Sequence, residues 1–309
     1  MSRNHTARYL RVSLLSNCNL RCSYCRPGGN NHPPVSAPPD KVRAAIRLLH
    51  RFGIRKVRFT GGEPTLSADL PDLISFVKTM DAGTHTAITS NGVLLASKVE
   101  SLVAAGLDSV NISIDTLDQA KFQILTGGHL ESVLSGIDAA IEHVGNVKLN
   151  CVLMRGINDS EVERLIRFAD TRGINIRFIE FMPNRYSAPG DTRFISSEEI
   201  QGRLPWTLTA IPGRSSSAAR YYSCPQLRIK IGFIDSVSHP FCGSCDRIRL
   251  TANGLLYTCL FSPDGLNLFE LLDGDSGAAE REVEKLLWAK RFGRRPVAAA
   301  LPSFSAMGG

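Results

Sequence analysis

Between Leu10 and Phe181 six short runs rich in Val, Ile and Phe alternate with stretches whose apolar residues recur at helical spacing. No other feature limits the fold as much. Strands are predicted at Leu10–Leu15, Lys56–Thr60, Thr84–Thr89, Ser109–Ile114, Lys148–Met154 and Asn175–Phe181. The helical stretches are marked by Val42, Ile46 and Leu49; by Leu73, Ile74 and Val77; by Val99, Leu102 and Val103; by Val133, Ile137 and Ile141; and by Val162, Leu165 and Ile166. Asp159 or Ser160 is expected to cap the last of these, with Glu163 in the capping-box position. Alternation this regular implies a parallel sheet in an α/β fold. Six units with right-handed crossovers suit a partial barrel better than a flat sheet.

The unusual residues follow the strands. After the first comes Cys18-x3-Cys22-x2-Cys25, and after the second Gly61-Gly62-Glu63-Pro64. Then come Ser90-Asn91-Gly92, Asp115, Arg155-Gly156-Ile157-Asn158-Asp159 and Met182-Pro183-Asn184. In a barrel these loops converge on the C-terminal face, where active sites are built. Three thiolates at this spacing can hold three irons of a cubane cluster and leave the fourth iron open to a ligand. The competing reading is a zinc site with a distant fourth ligand, although zinc modules favour C-x2-4-C pairs.

A second set of three follows: Cys242, Cys245 and, after thirteen intervening residues, Cys259. Here Cys224 could complete a four-thiolate zinc site. Cys151 stands in an apolar run and reads as packing. The N-terminus is short and polar, with no leader or long apolar segment, so a cytoplasmic chain with reduced thiols and no membrane partner is expected.

From about residue 215 the alternation stops. Arg214–Ala219 reads as a linker, Leu250–Thr258 as a hairpin around Asn253-Gly254, and Glu280–Trp288 as a helix with Val283, Leu286 and Leu287 on its apolar face. The expected division is 1–214 for the partial barrel and 215–309 for a smaller α+β domain carrying the second cysteine set.

A formal net charge of +7 favours anionic partners. More pointed are Arg11, Arg58, Lys148 and Arg177, each on a different predicted strand, with Arg247 and Arg249 beside the second cysteine set. Inward positions of a barrel are normally apolar, so cations there call for a charged ligand. Six of them suit a triphosphate, whose oxygens match guanidinium geometry. A cluster with an open iron can bind the amino and carboxylate groups of S-adenosylmethionine. Gly61-Gly62-Glu63 offers exposed backbone and a carboxylate for the rest of that cofactor, and Tyr24, Ser113, Asp115 and Met182 lie at neighbouring strand ends.

The cysteine loop followed by Gly61-Gly62-Glu63-Pro64 resembles the radical S-adenosylmethionine superfamily. The runs Lys148–Asp159 and Arg177–Pro183, the second cysteine set with Arg247-Ile248-Arg249, and the terminal Gly308-Gly309 narrow the resemblance to the GTP 3′,8-cyclases of molybdenum cofactor (molybdopterin) biosynthesis. It covers the chain from about Leu10 to Phe261 and again at its end. The resemblance implies an incomplete (βα)6 TIM-like barrel and two [4Fe-4S] clusters, one on Cys18, Cys22 and Cys25 and one on Cys242, Cys245 and Cys259. It implies S-adenosylmethionine as cofactor, contacted by Tyr24, Gly62, Glu63, Ser113 and Met182. GTP would meet Arg11, Arg58, Thr89, Lys148, Arg177, Arg247, Ile248 and Arg249, with Arg247, Arg249, Gly308 and Gly309 in catalytic roles. The product would be (8S)-3′,8-cyclo-7,8-dihydroguanosine 5′-triphosphate, formed as the first step of the pathway. Partners implied are a second copy of the chain, an electron donor such as a flavodoxin or ferredoxin, and a downstream cyclic pyranopterin monophosphate synthase. Departures are Arg26 after Cys25, Ser16-Asn17 before Cys18, and the stretch Asp273–Pro302. The alternatives are a radical paralogue that modifies a peptide or another nucleotide, and a non-catalytic iron–sulfur or zinc scaffold.

Overall fold

A computed structural model describes residues 7–25, 33–182, 191–213, 217–262, 264–274 and 276–290. The six predicted strands form β1 (Tyr9–Ser13), β2 (Lys56–Thr60), β3 (His85–Ser90), β4 (Ser109–Ser113), β5 (Val147–Leu153) and β6 (Asn175–Glu180), each pairing in parallel with the next. Between them run α1 (Pro39–Arg51), α2 (Leu70–Met80), α3 (Leu95–Ala104), α4 (Gln119–Thr126), α5 (Leu130–His143) and α6 (Val162–Thr171). The marker residues of the predicted helices are buried, apart from the half-buried Val103 and Ile141.

Two details differ from expectation. Helix α4 was not predicted; it starts at Asp118, whose carboxylate accepts from the Lys121 amide. The cap of α6 falls on Glu161, with no side-chain capping bond. Asp159 has stronger claims elsewhere: it accepts from the Gly156 amide and pairs with Arg203. Glu163 pairs with Arg167 on the helix surface instead of closing a box.

After β6 come α7 (Ser197–Arg203), β7 (Thr209–Ile211), β8 (Arg220–Ser223), β9 (Ile231–Ile234), β10 (Arg247–Leu250), β11 (Leu255–Tyr257), β12 (Leu266–Asn267), α8 (Leu268–Asp273) and α9 (Ser276–Lys290). The hairpin turns at Gly254 with φ +86°, and α9 buries Val283 and Leu287. These later strands extend both edges of the barrel sheet. β9 joins β6 in parallel and β10 joins β1 in parallel, giving the order β12-β11-β10-β1-β2-β3-β4-β5-β6-β9-β8-β7.

Strand alternation then decides what faces in. Leu10 and Val12, Val57 and Phe59, Ile176 and Phe178, and Ile248 and Leu250 are buried in the apolar core. The residues between them turn to the other face, where they line a cavity. No helix among the described residues is long and apolar enough to cross a membrane.

Candidate active site

The cysteine loop is pinned from two sides. The Gly62 and Glu63 amides donate to the Leu15 and Asn17 carbonyls, both at 2.7 Å. From the other side the Arg21 and Ser23 amides donate to Thr126 and Leu125 at the end of α4. Glycine is required at the first clamp: a Cβ on Gly62 would fall 1.8 Å from the Asn17 oxygen, and Gly61 has φ +132°. Asn91 Nδ2 reaches Cys18 Sγ at 3.5 Å.

The Glu63 carboxylate is buried. It accepts from the Thr65 amide and hydroxyl, from Ser90 Oγ and from the Asn91 amide, and so braces the loops after β2 and β3. Burial pushes its pKa up and those four bonds oppose the shift. Glu63→Ala strands four donors, three of them in buried bonds, and is expected to lower stability by about 3 kcal/mol. Denaturant titration checks this; a loss under about 1 kcal/mol would contradict the bracing role.

Tyr24 donates to Asp115 Oδ2 at 2.7 Å and packs beside Leu125, Met154 and Phe181. Burial raises the Asp115 carboxyl to about 6, against the bonds from Tyr24 and the Val152 amide. Burial also pushes the Cys22 thiol well up, and Asp115, Cys25 and Cys18 act in the same direction. Three thiols gathered where each opposes the others' ionisation suit a cationic centre that takes them as thiolates. No three His, Cys, Asp or Glu among the described residues converge closely enough for one ion. A cubane spreads its ligands over several irons.

The second cysteine set lies at the opposite end of the barrel. Cys242 and Cys245 precede β10, which runs parallel to β1, whereas Cys18 follows β1. β11 returns antiparallel and brings Cys259 back to the same end. Burial raises the Cys242 thiol, Cys259 and Cys245 add to this, and Lys290 opposes. Lys290 donates to the Thr258 carbonyl at 2.8 Å and to Cys245 Sγ at 3.8 Å. Cys224 is buried elsewhere, its thiol donating to Gln226, so it does not complete a fourth corner.

Between the two ends lies a cavity of about 750 Å³. Arg11, Arg58, Lys148, Arg177, Arg247 and Arg249 all line it, with Cys242, Cys245, Cys259 and Met182. Cross-strand register sets Arg249, Arg11 and Arg58 in one row and Arg247, Tyr9 and Lys56 in the next. Like charges on neighbouring strands repel one another, and more strongly in a partly buried wall than in water. Burial holds Arg11 below its ordinary pKa, with Arg249 adding to it, and burial lowers Arg249 in the same way, with Arg247 adding. Lys148 is lowered to about 8 by burial, then by Arg177, Lys56 and Arg58. Arg177 buries Nε and Nη2 with no hydrogen-bond partner. The chemistry this wall invites is a polyanion.

Thr89 accepts from Arg58 Nη1 at 3.3 Å. Ser113 continues the face of β4 that carries Ser109 and Asn111. Ile248 turns away: its side chain is in the core, because Arg247 and Arg249 take the inward positions. Gly308 and Gly309 lie outside the described residues, as does Arg26. Among the wall residues not predicted are Lys56, Tyr9 and Lys290. Two-residue alternation from Arg58 and Arg11 would have found the first two.

The Radical SAM superfamily profile matches residues 12–169, and the Molybdenum Cofactor Synthesis C profile matches residues 174–296. The fold agrees. The crystal structure of Streptococcus suis SuiB bound to S-adenosylmethionine aligns with a TM-score of 0.64 at 16% identity, over 98% of this chain and 72% of that one. The anSMEcpe structure with bound AdoMet gives 0.52 at 16% identity, over 62% and 54%. Barrel and cysteine loop together define a radical S-adenosylmethionine protein. Curated relatives narrow the class. A GTP 3′,8-cyclase of Corynebacterium glutamicum (strain R) is 39% identical over 93% of this chain and 82% of its own length. One of Alkaliphilus oremlandii is 40% identical over 85% and 83%. Molybdenum cofactor biosynthesis protein 1 of Drosophila melanogaster is 35% identical over 97% of this chain, which spans about half (54%) of that longer protein. The chain belongs to the GTP 3′,8-cyclase family.

Proposed function

We propose that this chain converts GTP into (8S)-3′,8-cyclo-7,8-dihydroguanosine 5′-triphosphate, the first step of molybdenum cofactor formation. The observation that carries the reading is the cation-lined cavity held between two sets of three cysteines. An iron–sulfur cluster on Cys18, Cys22 and Cys25, with S-adenosylmethionine, supplies one-electron chemistry able to take hydrogen from an unactivated carbon. The protein's own residues do the rest. Arg11, Arg58, Lys148, Arg177 and Arg249 meet the triphosphate. Arg247 sits between the phosphates and the second cysteine set, where a cluster on Cys242, Cys245 and Cys259 would meet the base. Met182 and the ring of Tyr24 border the cofactor.

The division at 214/215 belongs to the same proposal; it falls between β7 and β8, an antiparallel pair that comes after the parallel βα units. So do a homodimer, a cytoplasmic location, a flavodoxin or ferredoxin donor and a downstream cyclic pyranopterin monophosphate synthase. A peptide-modifying activity is disfavoured, because only an unusually acidic peptide would match so many cations. Product analysis with GTP, S-adenosylmethionine and a strong reductant tests the reading. Cofactor cleavage with GTP left intact would refute it.

The tail is part of the reading too. Glycine lets backbone approach a ligand closely, and a terminal carboxylate is drawn to a basic cavity. Deleting Gly308 and Gly309 is expected to leave both clusters and cofactor cleavage in place while GTP conversion falls at least ~100-fold. Unchanged cyclisation in the truncated protein would show that the tail takes no part.

A further inference from the structure

Tyr9 stands at the centre of the cations, and the reading above gives it no task. Register places it between Arg247 on β10 and Lys56 on β2, with Arg11 two residues along its own strand. Its hydroxyl accepts from Arg58 Nε at 2.5 Å. Lys56 Nζ lies 5.2 Å from the ring centroid and the Arg247 guanidinium carbon 5.8 Å. Arg249 and Arg177 add to the charged surround, and the wall also carries the carboxylate of Asp246, whose backbone oxygen accepts from the Tyr9 amide at 3.2 Å.

We propose that Tyr9 is the cavity's placeholder anion: its phenolate balances the surrounding cations until a polyphosphate enters, and it then takes one proton from solvent and becomes a neutral phenol. The step breaks no bond in the protein. One O–H forms, and the negative charge it removes is replaced by the ligand's. Burial alone would raise the phenol, but Arg58, Arg11 and Lys56 outweigh it and bring Tyr9 down to about 7. A polyanion on those same cations cancels their pull, so binding couples to proton uptake. Affinity should therefore fall as pH rises above about 7, by up to about tenfold per unit. The triphosphate part rests on the function proposed above; the proton part needs only a polyphosphate.

The test is calorimetry on the reconstituted, oxidised holoenzyme in buffers of different ionisation enthalpy at pH 7.5. GTP and inorganic tripolyphosphate are titrated separately into wild type and Tyr9→Phe. Wild type should take up about three-quarters of a proton more than Tyr9→Phe, the ionised fraction of a group titrating at about 7. Proton release from the phosphates is common to both proteins and cancels. Equal proton counts overturn the proposal and leave the GTP reading standing. Tripolyphosphate binding with the extra proton while GTP does not bind supports Tyr9 and removes the nucleotide reading. Binding of neither overturns the proposal. Should Tyr9→Phe lose its clusters, wild type alone decides: tripolyphosphate must abolish one tyrosinate band in the ultraviolet difference spectrum, and no change overturns the assignment.

Discussion

Cys22→Ser is expected to bring iron from about eight to about four per chain, as one of two [4Fe-4S] sites is lost, and to abolish cleavage of S-adenosylmethionine. GTP binding should persist, because the cavity wall contains the second cysteine set and not the first. The fold should also persist. The loop is held by backbone bonds from Arg21 and Ser23 to the end of α4 and from Gly62 and Glu63 across to it, none of which uses the Cys22 thiol. Cys245→Ser should take the other four irons and weaken GTP binding instead. Iron and sulfide analysis after anaerobic reconstitution, with calorimetry for GTP, separates the two losses. Four irons and one zinc in the wild type would end the two-cluster reading.

Arg177→Met is expected to move stability and function in opposite directions. Arg177 is fully buried, its charge disfavoured first by desolvation and then, against some relief from Tyr221, by Arg58. Two of its nitrogens have no partner, and Gly232 on β9 stands opposite, where a Cβ would come within 2.8 Å of the Arg177 chain. Replacing a poorly compensated buried ion by an apolar chain of similar length commonly stabilises by 1–4 kcal/mol. The ligand-free protein should gain about 2 kcal/mol and melt several degrees higher. GTP should bind at least ~30-fold more weakly, the loss of about 2 kcal/mol from a charge-assisted bond. A lower melting temperature would show that the empty site already satisfies Arg177.

Much of this was legible because its determinants are local. β-branched runs between helical repeats located β1 to β6 to within a residue or two, and cysteine spacing marked both sets of three. Alternation correctly put Arg247 and Arg249 on one face. What escaped depends on distant partners. Ile231–Ile234 is too short to announce a parallel strand, and only its pairing with β6 makes it one. Lys290 reaches Cys245 from the end of α9, with no sequence signal linking them. Glu63 reads as a ligand group in its motif, but four donors converge on it once the fold forms. Ile248 lies inside a matching motif, yet strand parity sends it to the core.

The pairing of β10 with β1 has a consequence for how this chain becomes a protein. The partner of Tyr9 is Arg247, about 240 residues later. During synthesis the first strand therefore waits with one edge uncovered until most of the polypeptide exists, and β6 waits likewise for β9. Exposed parallel edges are templates for pairing with other chains, and contacts this distant in sequence close slowly. Arg11 lies on that waiting edge strand, with Arg58 beside it on β2, and like charge gathered there repels another nascent copy. Cations of the cavity wall would thus also serve as gatekeepers against aggregation before the barrel is complete.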